Sequence, residues 1–257
     1  VKKEKKMNPC SLFLICGLLA FFTPYLGADD LSPEAILQRI DSNMVFQTAR
    51  SEVEMVMTIG GRTLTKTLVS QSRGSEQSFI EILSPPRDKG TKILKLDGVI
   101  RIYYPSAERV MRLSGHMLRQ SMMGSDFSYE DMTERAQGLT ALYRVVLDGE
   151  ESVQGRPCHR LVLTAREDGL TYHVRKIWVD CTLYLGLREE LYARSGKLLK
   201  VLTVDEVKSF EGRHYPVKVT MEDRLRKGSK TVMRVSAIEF NVNIPPDTFS
   251  ERNLLRR

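Results

Sequence analysis

From about residue 50 to residue 240, apolar side chains recur at every second position in one short segment after another. Turn-forming residues separate the segments. A period of two is the repeat of a β-strand with one buried face, and it excludes a helical bundle for this part of the chain. Val53, Met55, Met57 and Ile59 alternate before Gly60-Gly61. Ile93–Leu96 and Val99–Tyr104 flank Asp97-Gly98, a pair suited to a tight hairpin because both central residues must take positive φ. Val217, Val219 and Met221 match Met233, Val235 and Ala237 across Lys227-Gly228, odd positions facing odd. Consecutive hairpins predict an antiparallel meander of 11–13 strands. A sheet this long must close, stack or curl around covering elements.

Few helices are available to cover it. Ser32-Pro33-Glu34 reads as N-cap, first-turn proline and first-turn acid. Ile36, Leu37, Ile40 and Met44 then follow at helical spacing, which predicts a helix over 33–48. Residues 114–140 interrupt the strand pattern. Met117, Leu118, Met122 and Met123 are spaced almost helically, Gly124-Ser125-Asp126-Phe127 breaks the run, and Ser128 with Asp131 forms a capping-box-like helix start. A long strandless segment inside a sheet protein is expected to act as a lid. The expected fold is therefore mainly β with some α: a curved antiparallel half-barrel with helices over its concave face.

The first 28 residues have the order of a secretory signal peptide. Lys2, Lys3, Lys5 and Lys6 precede the apolar run Leu12–Phe22, and Gly27-Ala28 offers a cleavage site before Asp29. The apolar run is too short to span a bilayer, which takes about 18 residues. Neither Cys10 after Pro9 nor Cys16 after Ile15 has the small preceding residue of a lipidation site. Residues 29–257 are expected to form a single domain. Without residues 1–28, Lys+Arg falls from 39 to 35 and Asp+Glu from 32 to 31, so the net charge drops from +7 to +4. An exported chain with no basic block is not expected to bind nucleic acid.

The mature chain keeps Cys158 and Cys181, on the two arms of a hairpin centred near Gly169. Counting places them almost opposite. The alternation instead puts Leu161 and Leu163 inward with Ile177, Val179 and Cys181, leaving Cys158 on the other face. A bulge would bring the two together, so the disulfide stays open.

Catalytic patterns are lacking. His116, His159, His173 and His214 show no metal-ligand spacing, and no phosphate-cradling loop or nucleophile elbow occurs. Glu189-Glu190 would point to opposite faces of a strand. Ser125 beside Asp126 reads as a turn and helix cap. No enzyme, cofactor or metal is expected. Ten methionines lie in the mature chain, most at inward positions. Methionine is flexible and polarizable, suiting a surface that adapts to varied apolar partners.

The run Gly124-Ser-Asp-Phe-Ser-Tyr-Glu-Asp131 resembles the outer-membrane lipoprotein-sorting proteins, the Lol-type periplasmic carriers. So, in order, do Lys176-Ile-Trp-Val-Asp180 with Leu187, Gly196-Lys-Leu, the strand beginning at Pro216, and the tail from Phe240-Asn241 through Ile244-Pro245 to Phe249. The resemblance implies a half-open barrel plugged by helices. It also implies a periplasmic cavity that takes acyl chains of lipoproteins or of phospholipid and moves them toward the outer membrane. An inner-membrane transporter and an outer-membrane acceptor are the partners such a route would use. Leaving a C16 chain in water costs on the order of 12 kcal/mol, at about 0.8 kcal/mol per methylene. Parity nominates Met55, Met57, Ile80, Ile82, Ile100, Ile102, Tyr104, Met111 and Leu113 as the acyl-chain lining, and Met117, Leu118, Met122, Met123 and Phe127 as the lid. A competing reading is a non-enzymatic sensor or interaction module on the same fold. A second is a hydrolase using Ser125.

Overall fold

The computed structural model describes residues 31–44, 46–131, 138–210 and 212–256. The signal-peptide reading of residues 1–28 lies outside them. One antiparallel sheet of thirteen strands runs through the described residues. Its strands are β1 (Thr48–Ile59), β2 (Arg62–Arg73), β3 (Gln77–Ser84), β4 (Lys92–Leu96), β5 (Val99–Tyr104), β6 (Arg109–Leu113), β7 (Tyr143–Val153), β8 (Arg156–Ala165), β9 (Val174–Asp180), β10 (Gly186–Tyr192), β11 (Leu198–Phe210), β12 (Arg213–Asp223) and β13 (Lys230–Phe240).

The order across the sheet is β6-β5-β4-β3-β2-β1-β13-β12-β11-β10-β9-β8-β7. The chain starts in the middle of the sheet and walks out to one edge at β6. It crosses to the opposite edge at β7 and walks back to pair β13 with β1. Residues 114–142, between β6 and β7, must therefore travel from one free edge to the other. Residues 117–129 of this segment lie against the β1–β6 face.

Local chemistry fixes the hairpins as the sequence leads one to expect. Asp97 and Gly98 take φ of 52° and 71°, which the tight β4–β5 turn requires. The β8–β9 register sets Leu161 opposite Ile177 and Cys158 opposite Asp180, so Cys158 and Cys181 are offset by one residue. Both are free thiols. Val219 faces Met233, odd to odd.

The first helix, α1, covers Pro33–Met44, shorter than the expected 33–48. β1 already begins at Thr48, and Phe46 stacks on Phe240 of β13 at 3.9 Å between ring centroids. An aromatic neighbour at the end of the sheet thus draws the chain out of the helix. Ile36 and Leu37 of α1 pack with Leu139, Tyr143, Leu161, Leu163, Ile177 and Val179. The short helix α2, Leu139–Leu142, joins the same cluster and leads into β7.

Not every helix sits on the concave side. The C-terminal helix α3, Glu251–Leu255, packs with the preceding turn Pro246–Phe249 on the other face of β3–β5. Ile244, Phe249 and Leu254 cover Phe79, Leu94 and Tyr103 there. Lys92 donates its ammonium protons to the carbonyls of Asn253 and Arg256, which satisfies the helix C-terminus. No described helix is long and apolar enough to cross a membrane.

Candidate functional site

Residues directly opposite one another in antiparallel strands share a face. Ile80 faces Ile93, Ile93 faces Ile102, and Ile102 faces Met111, which draws one apolar row across four strands. Ile100 faces Leu113 in the next row. Met55 faces Met233 on one side and Lys66 on the other. Together these positions make the concave floor of the β1–β6 half.

The segment after β6 lies on that floor. It forms two 3-10 turns, Gly115–Arg119 and Met122–Gly124, then a helical turn opening at Tyr129. The floor residues Met55, Met57, Ile80, Ile100, Ile102, Tyr104, Met111 and Leu113 gather into one cluster with Met117, Leu118, Met122, Met123 and Phe127 of the cover. Of the fourteen residues nominated from the sequence, Ile82 alone is not part of this cluster. It is fully buried opposite Leu68, farther along β2 and β3. Ile93, Tyr129 and Met233 join the cluster and were not nominated. Burial, and next the neighbouring Tyr104, push the Tyr129 phenol well above its ordinary pKa, so it stays neutral.

The compartment is closed over itself. Met55, Met57, Ile100 and Ile102 are at most 1% exposed. The cover's apolar side chains pack against the floor, because apolar residues left facing water would collapse onto it. Two open surface grooves lie elsewhere, one of about 450 Å³ beside Phe46 and Arg213 and one of about 520 Å³ beside Trp178 and Arg188.

The Gly124–Asp131 block anchors the cover. Asp126 is buried, and its carboxylate accepts from Ser229 Oγ at 2.6 Å, Thr231 Oγ1 at 2.7 Å and Arg226 at 2.8 Å. Ser125 is fully buried and donates its hydroxyl proton to the Met122 carbonyl at 2.7 Å, closing the turn. The capping box forms as expected, with the Ser128 amide donating to Asp131 and the Asp131 amide to Ser128 Oγ. The Asp131 carboxylate also binds Tyr172 and Lys200, at 2.8 Å and 3.1 Å. Burial would raise the Asp131 pKa. Lys200, the Ser128 amide and the Tyr172 hydroxyl outweigh it and hold the group below the usual carboxylate range.

Two buried lysines facing the floor escaped the sequence reading. Lys66, opposite Met55, pairs with Asp88. Lys95, opposite Ile100, donates to the Ser75 carbonyl at 2.7 Å. Burial lowers the Lys95 pKa, with Glu76 opposing. The available signal was a charged residue at an inward parity, in Leu64-Thr-Lys66-Thr-Leu68 and in Ile93-Leu-Lys95.

An open antiparallel half-barrel with a roofed apolar face defines a known class of fold. A family model described as that of an uncharacterized protein matches residues 74–256, most of the chain. The chain belongs to that family, and its fold is that of the solved structures that follow. Among solved structures it is similar to a DUF1329 family protein from Desulfovibrio piger, with 26% identity over 85% of this chain and 96% of that one and a TM-score of 0.77. It is similar to an outer membrane lipoprotein-sorting protein domain from Vibrio parahaemolyticus, with 23% identity, coverage of 88% and 98%, and a TM-score of 0.78. A LolA superfamily protein from Nitrosomonas europaea gives 24% identity, coverage of 86% and 99%, and a TM-score of 0.72. No curated protein matches the sequence.

Proposed function

We propose that this protein is a periplasmic, non-enzymatic carrier that shelters acyl chains of lipoproteins or phospholipid between the β1–β6 floor and its cover, and moves them toward the outer membrane. The observation that carries the reading is the continuous Met/Ile floor roofed by a segment that runs between the two free edges of the sheet. In the closed state the cover methionines hold the space a guest needs. A guest displaces them and replaces their contacts with its own methylenes, each contributing about 0.8 kcal/mol. Exchange of one apolar partner for another keeps binding reversible, as delivery requires. The flexibility of methionine lets the same floor accept chains of different length. Ser125 takes no part in chemistry in this reading, since its hydroxyl closes the turn of the cover.

Native mass spectrometry of the gently purified, exported protein tests this. The expected result is lipid retained as added mass, together with saturable binding of a fluorescent C16 fatty acid. Met57→Gln, nearly isosteric but polar, should weaken that binding strongly while far-UV circular dichroism stays unchanged. Val146→Gln, on the exposed edge strand, should leave it intact. Absence of bound lipid together with absence of fatty-acid binding overturns the carrier reading. A stable protein partner recovered without any acyl binding would favour an interaction module.

A further inference from the structure

A second cluster of reactive side chains lies at the opposite edge of the sheet. The β7–β8 pairing shifts register between Leu147 and Glu150, which sets Glu150 opposite His159 and Glu151 opposite Cys158. The two adjacent glutamates thereby serve opposite faces. Glu151 binds Trp178 Nε1 at 2.8 Å and Arg160 at 3.2 Å. Glu150 lies on the face of His159, with its Oε1 3.2 Å from His159 Nδ1. His159 faces Val179, so Cys181, two residues on, belongs to the same face.

One ligand atom each from Glu150, His159 and Cys181 lies within 4.8 Å of the others. Tetrahedral zinc, with bonds of about 2.0–2.3 Å, needs its ligand atoms roughly 3.3–3.8 Å apart. Binding would require the three side chains to draw closer than they stand here. His159 Nδ1 is shielded from solvent and lies 3.2 Å from Glu150 Oε1 without meeting hydrogen-bond alignment.

The backbone that carries the thiol is fixed. The Asp180 carboxylate accepts from the amides of Thr182 and Leu183 at 2.8 Å and 2.7 Å and pairs with Arg156. The Cys181 amide donates to the Pro157 carbonyl at 3.0 Å.

We propose that Glu150, His159 and Cys181 form a binding site for a divalent transition-metal ion of the zinc class, with the fourth position open to water or an external ligand. Carboxylate, imidazole and thiolate together select a borderline-soft ion over calcium or magnesium. The ligands come from β7, β8 and the turn after β9, so the ion fastens the free edge strand to its neighbours. No sequence spacing could reveal this set, because the register, not the chain, brings the three together.

Cobalt titration of the reduced, metal-free mature chain tests the site. Expected is one Co²⁺ per chain, with a near-ultraviolet thiolate-to-cobalt charge-transfer band that stoichiometric Zn²⁺ removes. Cys181→Ser should abolish the band. His159→Ala and Glu150→Gln should each weaken binding by about tenfold or more, since even outer-sphere losses reach that size. Cys158→Ser should keep it. Zinc should raise the melting temperature of the native chain but not that of Cys181→Ser. The site is refuted by a wild-type protein that shows no charge-transfer band, by a band that survives Cys181→Ser, or by a Cys158–Cys181 disulfide in the exported protein. None of these outcomes bears on acyl binding.

Discussion

The two halves of the sheet fill their concave faces by different means. In the β1–β6 half the floor and its cover touch through methionine, isoleucine, leucine and aromatic rings, although buried Lys66, paired with Asp88, and Lys95 also face that floor. In the β7–β11 half an aliphatic cluster under α1 lies beside a buried ionic group. Arg175 pairs there with Glu189 at 2.7 Å, both nearly inaccessible, and its guanidinium lies over the rings of Tyr143 and Tyr172 at 5.2 Å and 5.1 Å. Hydrogen bonds and ion pairs are directional, so the second half has one good arrangement. Contacts among methionines are not directional and can be remade with another apolar partner. In the proposed carrier the ion-paired half would serve as a frame, and the methionine-rich half would take the guest.

The largest effect should come from breaking the frame. Glu189→Ala removes the Glu189 carboxylate from beside the buried Arg175, and loss of one member of a buried pair costs about 3–5 kcal/mol. Urea unfolding should register it. The double change Arg175→Met with Glu189→Leu should recover most of that loss, because it removes the buried charge as well. If the single change costs no more than a surface substitution, the contrast between the halves fails.

Next in size is the anchor of the cover. Asp126→Ala removes the acceptor of three donors, and hydrogen bonds to a charged group are worth about 1.5–3 kcal/mol each, net of solvation. Water and the remaining partners take over part of the donors' bonding, so global stability should fall by less than three such bonds would sum to. Amide exchange should quicken across residues 122–129 more than in β8 or β9. Equal acceleration in both halves would mean that the cover is no separate unit.

Much of this frame was legible in the chain, for a physical reason. Alternation is a local property, so the strands, the Asp97-Gly98 turn, the odd-to-odd pairing of Val219 with Met233 and the interruption after Leu113 could all be read. Parity pointed to the offset of Cys158 from Cys181, but counting opposed it and the pairing stayed open until the register settled it. Pairing of β1 with β13 could not be read, because nothing local joins residues nearly 200 positions apart. The tail was illegible too. Residues 241–255 show neither period, and the placement of Ile244, Phe249 and Leu254 on the outer face depends on Phe79, Leu94 and Tyr103 already being there. Arg175 and Glu189 stand at inward parity as Lys66 and Lys95 do, but a charge at such a position gains meaning only once its partner is known.

A smaller effect should appear with pH at the junction of the halves. Asp131 belongs to the cover, whereas Tyr172 and Lys200 belong to the frame. Its folded pKa lies below the unfolded value of about 3.9. A carboxylate with a depressed folded pKa contributes stability above its unfolded pKa and loses it as pH falls through the folded one. Exchange of the amides of residues 128–131, corrected for intrinsic rates, should therefore quicken as pH drops below about 4. Asp131→Asn should flatten this dependence. Retention of the full dependence in that variant would assign it to another group.

The smallest change in stability should come with a clear change in binding, at Met123. This residue sits in the cover at φ 55° and ψ 25°, a left-handed conformation that costs a side chain with Cβ about 1–2 kcal/mol. Asparagine tolerates that region better than methionine does. Met123→Asn thus relieves backbone strain while giving up apolar contacts in the cluster. The two effects oppose, and the unfolding free energy should stay within about 1 kcal/mol of the parent. If the strained backbone exists to aim a thioether at the guest, fatty-acid affinity should fall severalfold in the same variant. Loss of stability with unchanged affinity would make Met123 a packing residue, and the adaptable half would then have to bind its guest through the floor alone.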